Sequence, residues 1–399
     1  MKYALIGKTL SHSYSKIIHR SFGKYDYELV PLKENDVSNF VEKSLYDGFN
    51  VTIPYKKTIM GFCDYICPKA QKIGCVNTVV KRNGKLCGYN TDYDGFSALA
   101  KKAGISFKNK RVAILGSGGT FLTAKAVALD EGASEIIPVS RNGKFNYDNQ
   151  KLWQEVQIIV NTTPVGMFPN NGETLLNIKD FQNLQGVIDV IYNPNKTKLV
   201  YEAEKLGIHA TGGLYMLVYQ AKCAYEIFLD SKLDDSKTDE VYLNLNKAMT
   251  NIVLIGMPGC GKSTIGKKIA EITGKEFIDT DNEIIKKVGM SIPEIFERKG
   301  EEYFRKLEAE VAMDVGKLQN TVIATGGGII KTPENEYSLK QNGKIYHIIR
   351  DINSLDTKGR PLSTNIEGIK EMEKERMPIY KKWADETIYN DKDINNFIF

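Results

Sequence analysis

The chain has 399 residues, more than one hydrophobic core usually serves, so two or three domains are expected. Hydrophobic residues make up 42% and charged residues 26%, the balance of an ordinary globular protein with packed cores throughout. The net charge of +5 is small and dispersed; it suits small anionic ligands and argues against nucleic acid as a partner, while the lack of any long apolar run argues against the membrane.

Met1-Lys2-Tyr3-Ala4-Leu5-Ile6-Gly7 reads as a short strand rather than a signal peptide. The six cysteines are scattered without a CxxC pair, and no histidine lies near Cys63 and Cys67 to complete a metal site. Free cysteines and a cytoplasmic location are therefore expected. Further along, the alternate hydroxyls of Ser13 and Ser15 point the same way in an extended segment, as a carboxylate would require, although a plain turn uses the same residues. Strands are expected at 29–30, 49–53 and 76–80, and a helix at 33–45. Lys56 follows a strand and a proline turn, a place where a lysine is held at a pocket rim. Asn77-Thr78 and Asn90-Thr91-Asp92 come next. A lysine and an aspartate face to face form a proton-transfer pair, but spacing alone does not bring Lys56 to Asp92.

From residue 110 a second α/β unit opens with Arg111-Val112-Ala113-Ile114-Leu115 and then Gly116-Ser117-Gly118-Gly119. Glycines at a strand-to-helix turn let the backbone approach a pyrophosphate at a helix N-terminus. The following strand, 135–139, ends in Ser140-Arg141-Asn142 where an NAD site usually carries an acid. Arg141 suits a 2′-phosphate, which favours NADP over NAD. Residues 213–229 read as an amphipathic helix, and 230–247 as a polar surface helix rather than a tether.

These stretches, with Asn50 to Lys56, Gly74-Cys75-Val76-Asn77-Thr78, Asn161-Thr162-Thr163-Pro164, Asp189-Val190-Ile191-Tyr192 and Gly213 to Ala221, resemble shikimate dehydrogenase over residues 1 to about 248. The resemblance implies NADPH-dependent reduction of 3-dehydroshikimate. It implies that Ser13, Ser15, Thr52, Asn77, Asp92, Tyr192 and Gln220 hold the substrate, and that Lys56 protonates the developing alkoxide with Asp92 as partner. Gly116, Ser117, Gly118, Gly119, Thr120, Ser140 and Arg141 would bind NADP, with Val190 and Gly213 along the nicotinamide. Three positions depart from the pattern: Lys16 replaces a proline, Leu122 a basic residue, and Phe121 a small residue beside the loop. Phe121 is expected to turn into the helix–sheet interface.

A third unit begins near residue 250. Strand 251–255 leads into Gly256-Met257-Pro258-Gly259-Cys260-Gly261-Lys262-Ser263, a phosphate-cradling loop ahead of a helix. The motif leaves GTPases, ATPases and small-molecule kinases open. Asp279 and Asp281 at the end of the next strand suit work shared between a metal and an acceptor hydroxyl, or a helix cap. With Arg305, Gly326-Gly327-Gly328, Arg360 and Arg376, residues 250 to about 390 resemble shikimate kinase. The resemblance implies ATP binding by Gly259, Cys260, Gly261, Lys262, Ser263, Thr264 and Arg360, and Mg²⁺ held at Ser263 and Asp279. Asp281, Arg305, Gly327 and Arg376 would hold shikimate, with Lys262, Asp281 and Arg360 catalytic. The lid region 350–359 is shorter than usual, and Ser363 replaces a leucine.

The expected fold class is α/β: a two-domain dehydrogenase, with an α/β substrate domain (1–103, completed by 212–248) and a Rossmann-like NADP domain (104–211), followed by a P-loop kinase domain with a parallel sheet (250–399). The expected function is bifunctional, making shikimate and then phosphorylating it. The alternatives are a dehydrogenase preferring quinate or NAD, and a second half that only binds ligand. Oligomerisation is not legible.

Overall fold

The computed structural model describes residues 1–10, 13–43, 45–351 and 366–390. They form two compact units: the described residues of 1–167, 173–193 and 199–246 make the first, and those of 168–172, 194–198 and 247–390 the second.

The described residues of the first unit form two sheets. The N-terminal one comprises β1 (Lys2–Gly7), β2 (Asp26–Pro31), β3 (Gly48–Val51), β4 (Tyr65–Ile66), β5 (Thr78–Arg82) and β6 (Lys85–Tyr89), in the order β2-β1-β3-β5-β6-β4. Its first three strands are parallel, and β5 runs antiparallel to both β3 and β6. Asn83 and Gly84, both at positive φ (50° and 77°), close the β5–β6 hairpin, the conformation a two-residue turn needs. The helices here are α1 (Ser15–Phe22), α2 (Val37–Lys43), α3 (Pro68–Ile73) and α4 (Asp92–Lys102). The helix expected at 33–45 is shorter than its pattern. A 3₁₀ turn occupies Glu34–Asp36, only Val37 and Val41 are buried in α2, and Leu45 lies exposed beyond it. The strand expected at 49–53 stops at Val51, and Ile53 is exposed.

The second sheet is wholly parallel, in the order β11-β10-β9-β7-β8. It contains β7 (Arg111–Leu115), β8 (Glu135–Val139), β9 (Ile158–Asn161), β10 (Gly186–Asp189) and β11 (His209–Thr211), with α5 (Gly119–Asp130) and α6 (Lys198–Lys205) between strands. Alternation along β7 feeds two cores. Val112 and Ile114 join Phe96, Phe107, Val127 and Ile158 on one face; Ala113 and Leu115 join Ile137, Trp153 and Phe181 on the other. Both faces are covered, so the strands read as apolar runs rather than alternating ones. Helix α7 (Leu214–Leu229) then packs against α1 and α4, and α8 (Asp235–Met249) follows as a continuous helix.

The second unit is built on a parallel sheet ordered β13-β14-β12-β15-β16. Its elements are β12 (Asn251–Ile255), α9 (Lys262–Thr273), β13 (Glu276–Asp279), α10 (Thr280–Val288), α11 (Ile292–Gly316), β14 (Thr321–Ala324), α12 (Glu334–Lys340), β15 (Gly343–Ile349), α13 (Ile366–Trp383) and β16 (Glu386–Tyr389). Helix α11 is kinked at Gly300, where φ is 81°. Among the described residues no helix is long and apolar enough to cross a membrane.

Candidate active sites

The C-terminal ends of β1 and β3, the start of α1 and the inner face of α7 enclose a cavity of about 320 Å³ in the first unit. Ser13, Ser15, Thr52, Lys56, Asn77, Asp92, Tyr192 and Gln220 all line it, drawn together from positions more than two hundred residues apart. Lys56 Nζ donates to Asp92 Oδ2 at 2.6 Å, and the two side chains keep only 16% and 11% of their exposure. Partial burial strengthens such a pair relative to water. Asp92 is placed by the first turn of α4, where a carboxylate also suits the helix dipole. Ser13 Oγ donates to Ser15 Oγ at 3.1 Å and accepts the Ser15 N–H at 3.3 Å, so both hydroxyls sit at the start of α1. Burial raises the Tyr192 phenol above its usual value, with Tyr14 edge-on beside it, which keeps a neutral donor in the wall.

The glycine loop after β7 borders this cavity through Thr120. A Cβ on Gly116 (φ 116°) would fall 2.7 Å from Thr162 Oγ1, whose hydroxyl is fixed by donating to the Leu115 carbonyl at 2.6 Å. Gly118 faces open space, and α5 begins at Gly119 with neither a side-chain cap nor an acid in its first turn. The N-terminal N–H groups of that helix therefore meet no competing side chain, as a phosphate cradle requires. Ser140 and Arg141 follow β8; the Gly143 N–H donates to the Ser140 carbonyl at 3.2 Å, and Arg141 stands exposed. Val190 and Gly213 both line the cavity, and a Cβ on Gly213 would lie 2.0 Å from the Val190 carbonyl oxygen. Phe121 packs into the core between α4, α5 and the second sheet, and Leu122 packs beside Ile73, Cys75 and Ala126.

In the second unit a cavity of about 420 Å³ joins the phosphate loop to an acid- and arginine-lined recess. Gly259, Gly261, Lys262, Ser263, Thr264, Asp279, Asp281, Arg305, Gly327 and Arg376 line it, while Cys260 is buried beneath. Lys262 Nζ donates to the Gly256 and Met257 carbonyls, each at 2.9 Å, so the loop folds around its own ammonium. Asp279 does two jobs. One oxygen caps α10 by accepting the Asp281 N–H at 3.0 Å, and the other accepts the Ser263 hydroxyl at 2.6 Å. Arg305 Nη1 donates to Glu308 Oε2 at 2.7 Å and its Nη2 to Glu301 Oε1 at 2.9 Å. Arg376 Nη1 and the Tyr380 hydroxyl both donate to the Gly327 carbonyl, at 2.9 and 2.5 Å.

The three glycines 326–328 are set by their neighbours. A Cβ on Gly326 would lie 2.7 Å from Asp281 Oδ1 and 3.1 Å from Glu308 Oε1; one on Gly327 would meet Pro258 at 2.7 Å; one on Gly328 would meet Arg305 at 2.2 Å. Glu308 was not legible as a site residue. It is 1% exposed, and burial lifts its carboxyl to about 7, the Arg305 charge opposing and the Asp281 charge assisting. Its spacing of three from Arg305 on one helix was the available signal. In the first cavity Thr9, Asn50, Met216 and Leu217 were likewise missed. Arg360, Ser363 and most of the lid segment lie outside the described residues. Among the described residues no group of three or more histidine, cysteine or acidic side chains is placed to hold a metal.

The family model "Shikimate dehydrogenase substrate binding domain" matches residues 5–79, and the model "Shikimate kinase" matches residues 258–399. A shikimate dehydrogenase (NADP(+)) of Clostridium beijerinckii is 35% identical over 259 residues, which cover 60% of this chain and 96% of the relative. Among solved structures, shikimate dehydrogenase 1 of Peptoclostridium difficile is 36% identical with a TM-score of 0.57, covering 61% of this chain and 98% of that one. A chorismate mutase/shikimate 5-dehydrogenase fusion protein of Clostridium acetobutylicum is 34% identical with a TM-score of 0.59, covering 61% and 96%.

Proposed function

Because the chain belongs to the shikimate dehydrogenase family over its N-terminal part and carries a shikimate kinase domain behind it, we propose that it is a bifunctional enzyme, reducing 3-dehydroshikimate with NADPH and phosphorylating the resulting shikimate with ATP. The observation that carries the proposal is that each cavity unites a nucleotide loop with a recess suited to a polyhydroxylated acid. The domains would be 1–103 with 212–248 for substrate, 104–211 for NADP and 250–399 for the kinase, working in the cytoplasm.

In the first cavity Ser13 and Ser15 hold the carboxylate, and Thr52, Asn77, Asp92, Tyr192 and Gln220 hold the ring oxygens. Asp92 aims the Lys56 ammonium, so that Lys56 passes its proton to the carbonyl oxygen as that oxygen gains charge. NADPH supplies the hydride when bound. Gly116 to Thr120 fit its pyrophosphate, Val190 and Gly213 fit its nicotinamide, and Arg141 with Ser140 fits a 2′-phosphate. Equal turnover with NAD and NADP would contradict that last assignment.

In the second cavity Asp281 orients the accepting hydroxyl, and Arg305, Arg376 and Gly327 hold the shikimate acid and ring. Lys262 exchanges its loop carbonyls for phosphate oxygens. The Ser263 hydroxyl and the Asp279 carboxylate are adjacent hard oxygens, the donor set Mg²⁺ prefers, and the ion would neutralise phosphate charge there. Gly259, Cys260, Gly261 and Thr264 complete the nucleotide cradle, and Arg360 supports the transferring group.

Two variants of the full chain test the assignment. Lys56→Ala should lower reduction by roughly a thousandfold and leave phosphorylation unchanged. Asp281→Asn should lower phosphorylation by at least about a hundredfold and leave reduction unchanged. Substantial turnover in either impaired half contradicts the role given to that residue. A wild-type chain that binds shikimate at the second site but never phosphorylates it favours a ligand-binding module instead.

A further inference from the structure

Several carbonyls of the phosphate loop have identifiable donors. Those of Gly256 and Met257 accept from Lys262 Nζ, each at 2.9 Å, and that of Gly261 accepts the Ile265 N–H at 2.9 Å as α9 begins. The Cys260 carbonyl is held from outside the loop: Asn390 Nδ2 donates to it at 2.7 Å. A carbonyl oxygen only accepts, so the Asn390 amide must present its nitrogen here. Asn390 directly follows β16, and its own N–H donates to the Ile349 carbonyl at 2.8 Å, which carries the β15–β16 pairing one residue further. The donor is thereby held by a strand to which the loop does not belong.

Gly261 makes this contact possible and also makes it necessary. Its φ is 95°, and a Cβ there would fall 2.6 Å from Asn390 Nδ2, so the amide takes the space of a side chain. Glycine adopts either sign of φ readily, so nothing intrinsic stops the peptide between Cys260 and Gly261 from turning over. A trans peptide points its C=O and its N–H in opposite directions. With the Cys260 oxygen held on Asn390, the Gly261 N–H faces the other way; Gly261 lines the second cavity, and Asn390 is not part of the described wall. A turned-over peptide would aim a carbonyl oxygen at a phosphate and repel it. Lys262 does not supply this control, since it leaves its two carbonyls when it takes up phosphate. The bond from Asn390 does not depend on Lys262.

We infer that Asn390 is a positioning residue for the nucleotide: it fixes the Cys260–Gly261 peptide so that the Gly261 N–H is offered to a phosphate oxygen. The inference rests on the kinase reading of the second cavity and deepens it. Asn390 touches no phosphate itself; its effect is on how tightly the phosphates are held.

The test compares wild type, Asn390→Leu and Asn390→Asp in the full chain, by calorimetric titration with ATP and Mg²⁺ and by steady-state phosphorylation of shikimate. Leucine is close to asparagine in size and removes the donor. Asn390→Leu should weaken ATP binding about tenfold and raise the KM for ATP in step, while the KM for shikimate and the rate of 3-dehydroshikimate reduction hold within about twofold. Asn390→Asp keeps the shape but sets a carboxylate oxygen against the Cys260 carbonyl. At about pH 8 it should bind ATP more weakly than Asn390→Leu, and its affinity relative to wild type should recover as the pH falls and the carboxyl gains a proton to donate. An unchanged ATP affinity in Asn390→Leu overturns the inference, and so does an equal rise in both KM values, which marks a general defect of the second unit. Should Asn390→Leu fail to fold, Asn390→Asp decides alone: a wild-type affinity at about pH 8, or a ratio to wild type that ignores pH, overturns the inference equally. A wild type that binds ATP but phosphorylates nothing contradicts the kinase reading, while the relative ATP affinities still decide the role of Asn390. A wild type that binds no ATP overturns both.

Discussion

Lys56 and Glu308 mark the two ends of what single residues reveal. Lys56 was legible because a lysine after a strand and a proline turn has few structural uses, and the fold brings it to Asp92 at 2.6 Å. Glu308 was not legible because a glutamate on a charged helix is ordinarily solvated. Only the course of α11 buries it beside Asp281 and Arg305. Its burial has a pH signature. The folded carboxyl titrates near 7 against an ordinary 4.5, so between those values the folded state binds more protons than the unfolded one. Glu308 thus favours folding most at low pH, and that contribution is lost as pH rises toward about 7. Glu308→Gln cannot ionise. The difference in melting temperature of the second unit, wild type minus variant, should fall steadily from pH 4.5 to about 7 and level off above it. A flat difference contradicts the buried-acid assignment.

At the scale of elements, the strand-to-helix loops were legible because glycines at strand ends carry a physical reason. The turn Asn83-Gly84, which closes β5 onto β6, was not among the expected elements. Helix α2 was over-read because its apolar spacing extends beyond the core that could bury it; Leu45 has no partner surface. Phe121 turns into the helix–sheet core as its size demands, leaving the glycine loop beside it open at Gly118. The tightness of the 326–328 turn was not legible, since it depends on Asp281, Pro258 and Arg305 arriving from three other elements. Gly326→Ala puts a methyl 2.7 Å from Asp281 Oδ1 and should cut phosphorylation by about tenfold or more without touching reduction. A variant with normal phosphorylation would show that the turn has room the geometry denies it.

For the whole molecule, the three α/β units and their order were readable from an N-terminal strand and two strand-and-glycine-loop starts, and the described residues form three sheets, two in one unit and one in the other. Assignment of residues 168–172 and 194–198 to the second unit was not readable, because both lie within an α/β pattern that runs on without a break. The central claim concerns the chain as one molecule: what the first cavity makes, the second consumes. It is tested most directly by giving the full chain 3-dehydroshikimate, NADPH, ATP and Mg²⁺ and following both products. The account predicts NADPH oxidation together with ADP release and formation of shikimate 3-phosphate, with no phosphorylation when NADPH is withheld. Shikimate that accumulates without being phosphorylated would contradict it.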